Sequence, residues 1–209
     1  MGSIAVINYG MGNLCSIEKA LSKIGAKHKI TKRREDLRDA SHIILPGVGS
    51  FAQGMINLSE MGFIDSLRQE ILGKKKPLLG ICLGMQLLFE KSEEGCEKSG
   101  LGFIKGEVTR FRFKNQLSLK VPHIGWNKTF SNGQKPLDLL QGIPDDTYFY
   151  FVHSYHVPTD CKCLKSYTNY GYDFVSIVQN QNIFGTQFHP EKSQKMGSMI
   201  LSNFINWGD

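Results

Sequence analysis

Apolar residues follow two alternating patterns through the first half of the chain. Short apolar runs have the length of buried strands and lie at 4–7, 42–45 and 77–81. Apolar positions spaced three or four apart predict helices that begin at Leu14 and cover 64–72 and 85–89. Asn13 is placed to cap the first helix and Gly25 to end it. Strand, turn and helix in repetition predict a parallel sheet covered on both faces.

The second half of the chain has a different pattern, with strand signals that no helix separates. These strands are predicted over 107–113, 119–124, 148–152, 174–178 and 183–188. A last helix is predicted over 194–207. We therefore expect an α/β fold: a mostly parallel central sheet flanked by helices, with additional antiparallel strands in the second half. Residues 1–209 are expected to form one domain.

Composition supports a globular protein, since 41% of the residues are hydrophobic and 21% are charged. No apolar stretch approaches the ~18 residues of a membrane helix. The first residues lack the basic region of a signal peptide. We therefore expect a cytoplasmic protein with no membrane partner.

The net charge is 25 − 19 = +6. Such a charge permits a nucleic-acid partner but does not require one. No nucleic-acid motif accompanies it, so no nucleic-acid partner is expected.

The five cysteines are an odd number without CxxC spacing: Cys15, Cys82, Cys96, Cys161 and Cys163. Reduced thiols are the expected state in a chain without a secretion signal. Cys161 and Cys163 form a CxC pair, which is weak evidence for a metal. No histidine or second pair lies nearby, and two incidental thiols are the favoured interpretation.

The strongest local signal is Gly80-Ile81-Cys82-Leu83-Gly84, which has the form of a nucleophile elbow. A nucleophile on a sharp strand-to-helix turn needs small neighbours two residues away on either side. The turn places the Cys82 sulfur at a helix N-terminus, where the dipole favours thiolate. The Leu83 N–H then points toward a forming oxyanion.

A cysteine nucleophile needs a base, and the base needs an orienting group. His189 follows an apolar strand, and sites in open parallel sheets gather at such strand ends. Glu191, two residues further on, is placed to hold the imidazole. His153 and His156 form a second patch, for which a substrate rim and a polar loop are equally favoured.

Pro46-Gly47-Val48-Gly49 also ends a strand. Its glycines let backbone N–H groups face a ligand, so that Val48 or Gly49 is a candidate second oxyanion donor. By itself this segment is weak evidence, since an ordinary strand-to-helix turn has the same pattern.

The motifs at 80–86 and 188–191 together resemble those of the triad (class I) glutamine amidotransferases. Further segments at 8–13, 45–51, 121–127, 150–155 and 186–193 are similar to those of the glutaminase subunits of imidazole glycerol phosphate synthases. The resemblance covers the chain from about Ile4 to Phe204.

The resemblance implies that Cys82 attacks the side-chain amide of glutamine, with His189 as the acid–base group and Glu191 as its orienter. Val48 and Leu83 would supply the oxyanion hole.

The same resemblance implies that Gly47 and Gln86 hold the substrate, and that no metal or organic cofactor takes part. The implied partner is a (β/α)8-barrel cyclase, which forms a heterodimer with the chain and uses its ammonia in histidine biosynthesis. Residues implied to face or gate that partner are Asn13, Trp126, Tyr150 and Lys192.

Several alternatives stay open at this point. A duplicated paralogue that supplies ammonia for sugar amidination would keep the same triad. A non-catalytic scaffold is disfavoured because Cys82, His189 and Glu191 are all present, and a cysteine peptidase or esterase lacks a sequence signal for an apolar cleft. A Val48 amide that turns inward only in the complex would keep basal activity low.

Overall fold

The computed structural model describes residues 2–95, 99–113, 119–131, 133 and 137–208, and Cys96 lies outside them. The α-helices within these residues are α1 (Leu14–Lys23), α2 (Phe51–Glu60), α3 (Phe63–Leu67), α4 (Leu83–Leu87) and α5 (Gln194–Ile205), and a π-helical segment, Arg68–Gly73, continues α3. The strands are β1 (Ile4–Ile7), β2 (His28–Thr31), β3 (His42–Leu45), β4 (Leu78–Ile81), β5 (Phe89–Ser92), β6 (Ile104–Arg110), β7 (His123–Thr129), β8 (Thr147–His153), β9 (Tyr155–His156), β10 (Leu164–Asn169), β11 (Asp173–Asn180) and β12 (Ile183–Thr186).

A seven-stranded sheet, counted over the described residues, has the order β10-β11-β12-β4-β3-β1-β2. The strands from β12 to β2 run parallel, whereas β10 and β11 are antiparallel to their neighbours. Among the same residues, two smaller sheets, β5-β6-β9 and β7-β8, are formed by strands that lie between Phe89 and His156. This arrangement confirms the predicted α/β fold with added antiparallel strands.

The central strands are buried on both faces and divide the core into two layers. Ala5 and Ile7 of β1 pack into one layer, and Ile4 and Val6 pack into the other. Helix α2 contributes to the first layer, and helices α1 and α5 contribute to the second. Continuous apolar runs predict strands that are covered on both faces, and the runs at 4–7, 42–45 and 77–81 form such strands.

Some predicted boundaries differ from the structure. The sequence pattern missed α2, which begins directly after the Pro46–Gly49 turn and is capped by Ser50. The helix predicted over 85–89 begins at Leu83 and gives way to β5, because the turn at Cys82 already starts the helix. The strand predicted over 119–124 is β7, which pairs with β8 along its whole length.

Of the helices in the described part of the chain, none combines the length and apolar character that a transmembrane span requires.

Candidate active site

Three neighbouring parallel strands bring the predicted site residues together. Strand β4 lies between β3 and β12, with Gly80 opposite Leu45 and Ile81 opposite Thr186. Because the three strands run in the same direction and in register, their carboxyl ends open at one edge of the sheet. Cys82, the Pro46–Gly49 turn and the segment leading to His189 all start from that edge.

The turn at Cys82 has the backbone conformation that the elbow motif predicts. Cys82 has a φ of 54° and a ψ of −109°, a region that residues with a Cβ rarely adopt. A Cβ on Gly80 would lie 2.6 Å from the Gly84 carbonyl oxygen, and one on Gly84 would overlap the Leu45 carbonyl. The two glycines therefore allow the strained turn to pack against β3.

The Cys82 side chain is buried and has few polar neighbours. The Gln187 amide donates to its sulfur at 3.7 Å, and the sulfur lies 3.8 Å from the Val152 carbonyl oxygen. Gln187 was not assigned a role from the sequence, although it lies in the segment 186–193 that carries the resemblance and directly follows β12. It links Cys82 to Gln86, whose amide donates to the Gln187 Oε1 at 3.1 Å.

His189 and Glu191 form a buried pair. The Nδ1 of His189 lies 2.8 Å from Oε1 of Glu191, and both side chains are only 2% exposed. Ser193 and Tyr150 hold the backbone of this segment, through a Ser193 hydroxyl bond to the His189 carbonyl and a His189 N–H bond to the Tyr150 carbonyl. The second nitrogen of His189, Nε2, is buried without a hydrogen-bond partner among the described residues.

The neighbours of His189 favour its charged form. Burial alone lowers the pKa of the imidazole, but the charge of the Cys82 sulfur and the Glu191 carboxylate more than offset that effect. Together they raise the His189 pKa from 6.5 to about 10. The Cys82 sulfur and the Glu191 carboxylate therefore favour the protonated imidazole of His189.

Replacing Cys82 with alanine should lower the pKa of His189, because the largest interaction that raises it is removed. In the wild type, the protonated His189 stabilises the folded protein fully below pH 6.5. This stabilisation is lost as the pH rises through about 10, because the pKa of His189 is higher in the folded protein than in the unfolded chain. NMR titration of the imidazole nitrogens in the wild type and Cys82→Ala measures the change. An unchanged His189 pKa would show that Cys82 does not interact with it.

A cavity of about 290 Å³ opens beside Cys82. The other predicted residues that line it are Val48, Leu83 and Gln86. Gly47 lies behind them, where a Cβ would meet the Tyr9 hydroxyl at 2.6 Å and the Gly84 nitrogen at 2.9 Å. Both hydrogens of the Gln86 amide are used within the protein, by the Tyr155 carbonyl and Gln187, which leaves Oε1 as its free acceptor.

Glu94 also lines this cavity and was missed by the sequence analysis. Burial raises the pKa of its carboxyl, although Oε2 accepts a hydrogen bond from the Phe51 N–H at 2.8 Å. Glu94 lies far from the glycine motifs in a polar segment, so nothing in the chain pattern singled it out. It places one acidic group on a largely apolar wall.

His153 and His123 form a buried network of neutral rings, and His156 is not part of it. His153 lines the cavity and its Nδ1 donates to the Tyr155 carbonyl at 2.8 Å, so its Nε2 accepts from Nδ1 of His123 at 3.0 Å. The Asn127 amide completes the chain at Nε2 of His123. Burial lowers the pKa of His123 to about 4 and that of His153 well below its usual value. His156 instead stacks on Phe111 at 4.3 Å, so only His153 belongs to the cavity wall.

The family described as "Glutamine amidotransferase class-I" matches residues 5–207. The chain belongs to this family.

Among its described residues, no group of three or more His, Cys, Asp or Glu side chains is arranged to hold a metal ion.

Curated relatives of this amidotransferase match it over nearly its whole length. "Imidazole glycerol phosphate synthase subunit HisH 1" from Campylobacter jejuni (strain RM1221) is 50% identical, covering 97% of this chain and 98% of that protein. "Imidazole glycerol phosphate synthase subunit HisH" from Moorella thermoacetica (strain ATCC 39073 / JCM 9320) is 46% identical, covering 98% and 94%. The solved "Structure of PurLQS from Thermotoga maritima" shares the fold, with a TM-score of 0.73, 17% identity and 99% of each chain covered.

Three residues implied to face a partner lie together on this amidotransferase. The Trp126 ring contacts the Tyr150 ring at 6.1 Å, and the Lys192 ammonium lies 5.7 Å from the Tyr150 ring centre. Asn13 has a local structural contact, since its side chain caps α1 by accepting from the Ser16 N–H.

Proposed function

We propose that this amidotransferase is a glutaminase subunit that hydrolyses L-glutamine to glutamate and ammonia. The ammonia passes to a (β/α)8-barrel cyclase subunit in a heterodimer, which forms imidazole glycerol phosphate for histidine biosynthesis. The observation that carries the proposal is the buried His189–Glu191 pair beside the strained Cys82 turn. The names of the relatives support the partner, and residues 1–209 are proposed to act as one catalytic domain in the cytoplasm.

In the first step, the Cys82 thiolate attacks the side-chain amide carbon of glutamine. A carbon–sulfur bond forms, and the carbonyl electrons move onto oxygen. The N–H groups of Leu83 and Val48 are the proposed donors to this oxyanion, since both residues line the cavity next to Cys82. No metal or organic cofactor is required for this chemistry.

In the second step, His189 gives its proton to the departing nitrogen, so that ammonia leaves and a glutamyl thioester stays on Cys82. Glu191 holds the imidazole in place and compensates its charge through the 2.8 Å contact. His189 then takes a proton from water, which attacks the thioester carbon. Glutamate is released, and the thiolate and imidazolium are restored.

The substrate is held by groups around the cavity. Gly47 is proposed to hold the glutamine chain through its backbone, since any side chain there would strike Tyr9 and Gly84 and displace the turn that borders the cavity. Gln86 offers its free Oε1 as an acceptor. Glu94 provides the carboxylate that pairs with the α-ammonium group of glutamine.

Glu94→Gln should raise the KM for glutamine by about tenfold to a hundredfold, the value of one hydrogen bond to a charged group. The new amide oxygen still accepts from the Phe51 N–H, so the start of α2 stays capped. Steady-state glutamate release measures KM and kcat. Glu60→Gln, on the exposed end of α2, is the matched control and should leave KM unchanged. Equal KM values for both variants would remove Glu94 from the substrate site.

The cyclase is proposed to dock on the outer face of β7 and β8. Ile124, Trp126 and Tyr148 on this face are 60%, 46% and 52% exposed. A cluster of exposed apolar side chains at the edge of a site is typical of a protein interface. Tyr150, on the same face, bonds through its backbone to His189 and Ser193, so that docking is mechanically linked to the proposed acid–base group.

Glutamate release with and without the liganded histidine-pathway cyclase tests the proposal. We expect about a hundredfold stimulation, the value of one oxyanion donor brought into place. Trp126→Ala should lose most of it, whereas Leu72→Ala, which truncates an equally exposed apolar residue elsewhere, should keep it. Slow turnover that this cyclase leaves unchanged would contradict the partner and point to the sugar-amidinating paralogue.

A further inference from the structure

Two cysteines outside the proposed glutaminase site lie in contact. The sulfur atoms of Cys161 and Cys163 are 3.0 Å apart. They lie in the segment that joins β9 to β10, and Lys162 between them is exposed. The glutaminase chemistry uses neither of them.

The segment that carries the pair is fixed at both ends on the same strand. Val157 pairs with Val175 of β11, and Leu164 pairs with Gln179 of β11. Cys161 is 6% exposed and belongs to the apolar layer that β11 also lines, and Cys163 packs against that layer. A disulfide has an S–S distance of about 2.05 Å, so a covalent bond would need the two sulfurs to come about 1 Å closer.

The two sulfurs are not equivalent. The contact of the Cys161 sulfur with the Cys163 sulfur, in which either sulfur can be the donor, and the ammonium charge of Lys165 lower the Cys161 pKa, although burial opposes them. The same hydrogen bond and burial raise the pKa of Cys163. Lys165 is held close by its bond to the Cys161 carbonyl. Because the Lys165 ammonium is held at Cys161, Cys161 is the member better placed to form the thiolate that reacts with a peroxide.

We propose that Cys161 and Cys163 form a reversible oxidation site at which a hydroperoxide converts the dithiol to a disulfide, separately from Cys82. The Cys161 thiolate attacks the peroxide, so that a sulfur–oxygen bond forms, the oxygen–oxygen bond breaks and the leaving oxygen takes a proton from water. The Cys163 sulfur then attacks the Cys161 sulfenic acid. The disulfide bond forms, and hydroxide leaves with the Cys163 proton as water. The two sulfurs give up two electrons, which a dithiol reductant restores.

The test treats the full chain with hydrogen peroxide, alkylates the remaining thiols and maps the peptides by mass spectrometry. We expect a Cys161–Cys163 disulfide that has lost two hydrogens and that dithiothreitol reverses. In Cys163→Ser, a sulfenic acid should persist on Cys161 and be trapped by dimedone. In Cys161→Ser, oxidation of Cys163 should slow by at least about tenfold, because the thiolate is gone. Cys15→Ser, which removes an exposed cysteine on α1, should leave the disulfide yield unchanged.

Two results would overturn the proposal. One is the absence of the disulfide at a peroxide concentration that fully oxidises the exposed Cys15. The other is oxidation of Cys161 in Cys163→Ser no faster than that of Cys15. Circular dichroism of each variant confirms that the fold is kept, and the disulfide yield of the wild-type chain, which needs no variant, decides the question if a variant fails to fold.

Discussion

Cys82→Ala is expected to reduce glutamine hydrolysis by at least about 10⁴-fold, because a nucleophile that acts as a unit with its base cannot be replaced by its neighbours. Among the described cysteines, Cys82 is the one that lines the cavity. Glutamate release by the complex with the proposed cyclase gives the rate. The cavity and the oxyanion donors stay in place in this variant, so glutamine binding should change little.

Cys15→Ala provides the matched control for this substitution. Cys15 is exposed on α1 and is not part of the cavity. Its variant should hydrolyse glutamine at the wild-type rate. A Cys82→Ala complex that retains more than about a tenth of that rate would contradict the assignment, since it would require a nucleophile other than Cys82.

Gly84→Ala is expected to lower the free energy of unfolding by about 3 kcal/mol or more, at the upper end of overpacking effects. Its new Cβ would overlap the Leu45 carbonyl oxygen and lie 2.8 Å from the carbonyl carbon, both of which belong to the backbone of β3. A neighbouring strand in the centre of the sheet cannot give way as a flexible side chain would. The turn that holds Cys82 and the close packing of α4 on β3 must then shift together.

Gly73→Ala is the control for Gly84→Ala, since a Cβ there meets nothing within 4 Å. Urea unfolding followed by fluorescence gives both free energies. We expect the Gly73 variant to stay within about 0.5 kcal/mol of the wild type. An equally small change for Gly84→Ala would show that α4 does not pack on β3 as closely as the structure has it.

The sheet was predictable because its central strands are covered on both faces. Continuous apolar runs such as Ile4–Ile7 and Leu78–Ile81 can bury the side chains on both faces of the strand only in the middle of an α/β fold. Helix α2 was missed because Gly54 and several polar residues interrupt its apolar spacing, although its buried face packs on α4. The pattern was incomplete for the sheet as well, since it missed the edge strand β10 (Leu164–Asn169).

The site was predictable where chemistry imposes a local motif. The glycines around Cys82 and the His189-Pro190-Glu191 segment are close in sequence, so their spacing carries information. Gln187, Glu94 and the His123–His153 contact depend on segments between 30 and 105 residues apart in the chain that only the fold brings together. Their side chains satisfy no local pattern, so the sequence could not assign them.

The most direct test of the account is to trap the covalent step at Cys82. A glutamine analogue that carries an electrophilic diazoketone in place of the amide is incubated with the complex, and the modified peptides are mapped by mass spectrometry. We expect one adduct, on Cys82. Excess glutamine should prevent its formation, and His189→Ala should slow it strongly. An adduct on another cysteine, or glutamine hydrolysis that continues undiminished in fully labelled protein, would contradict it.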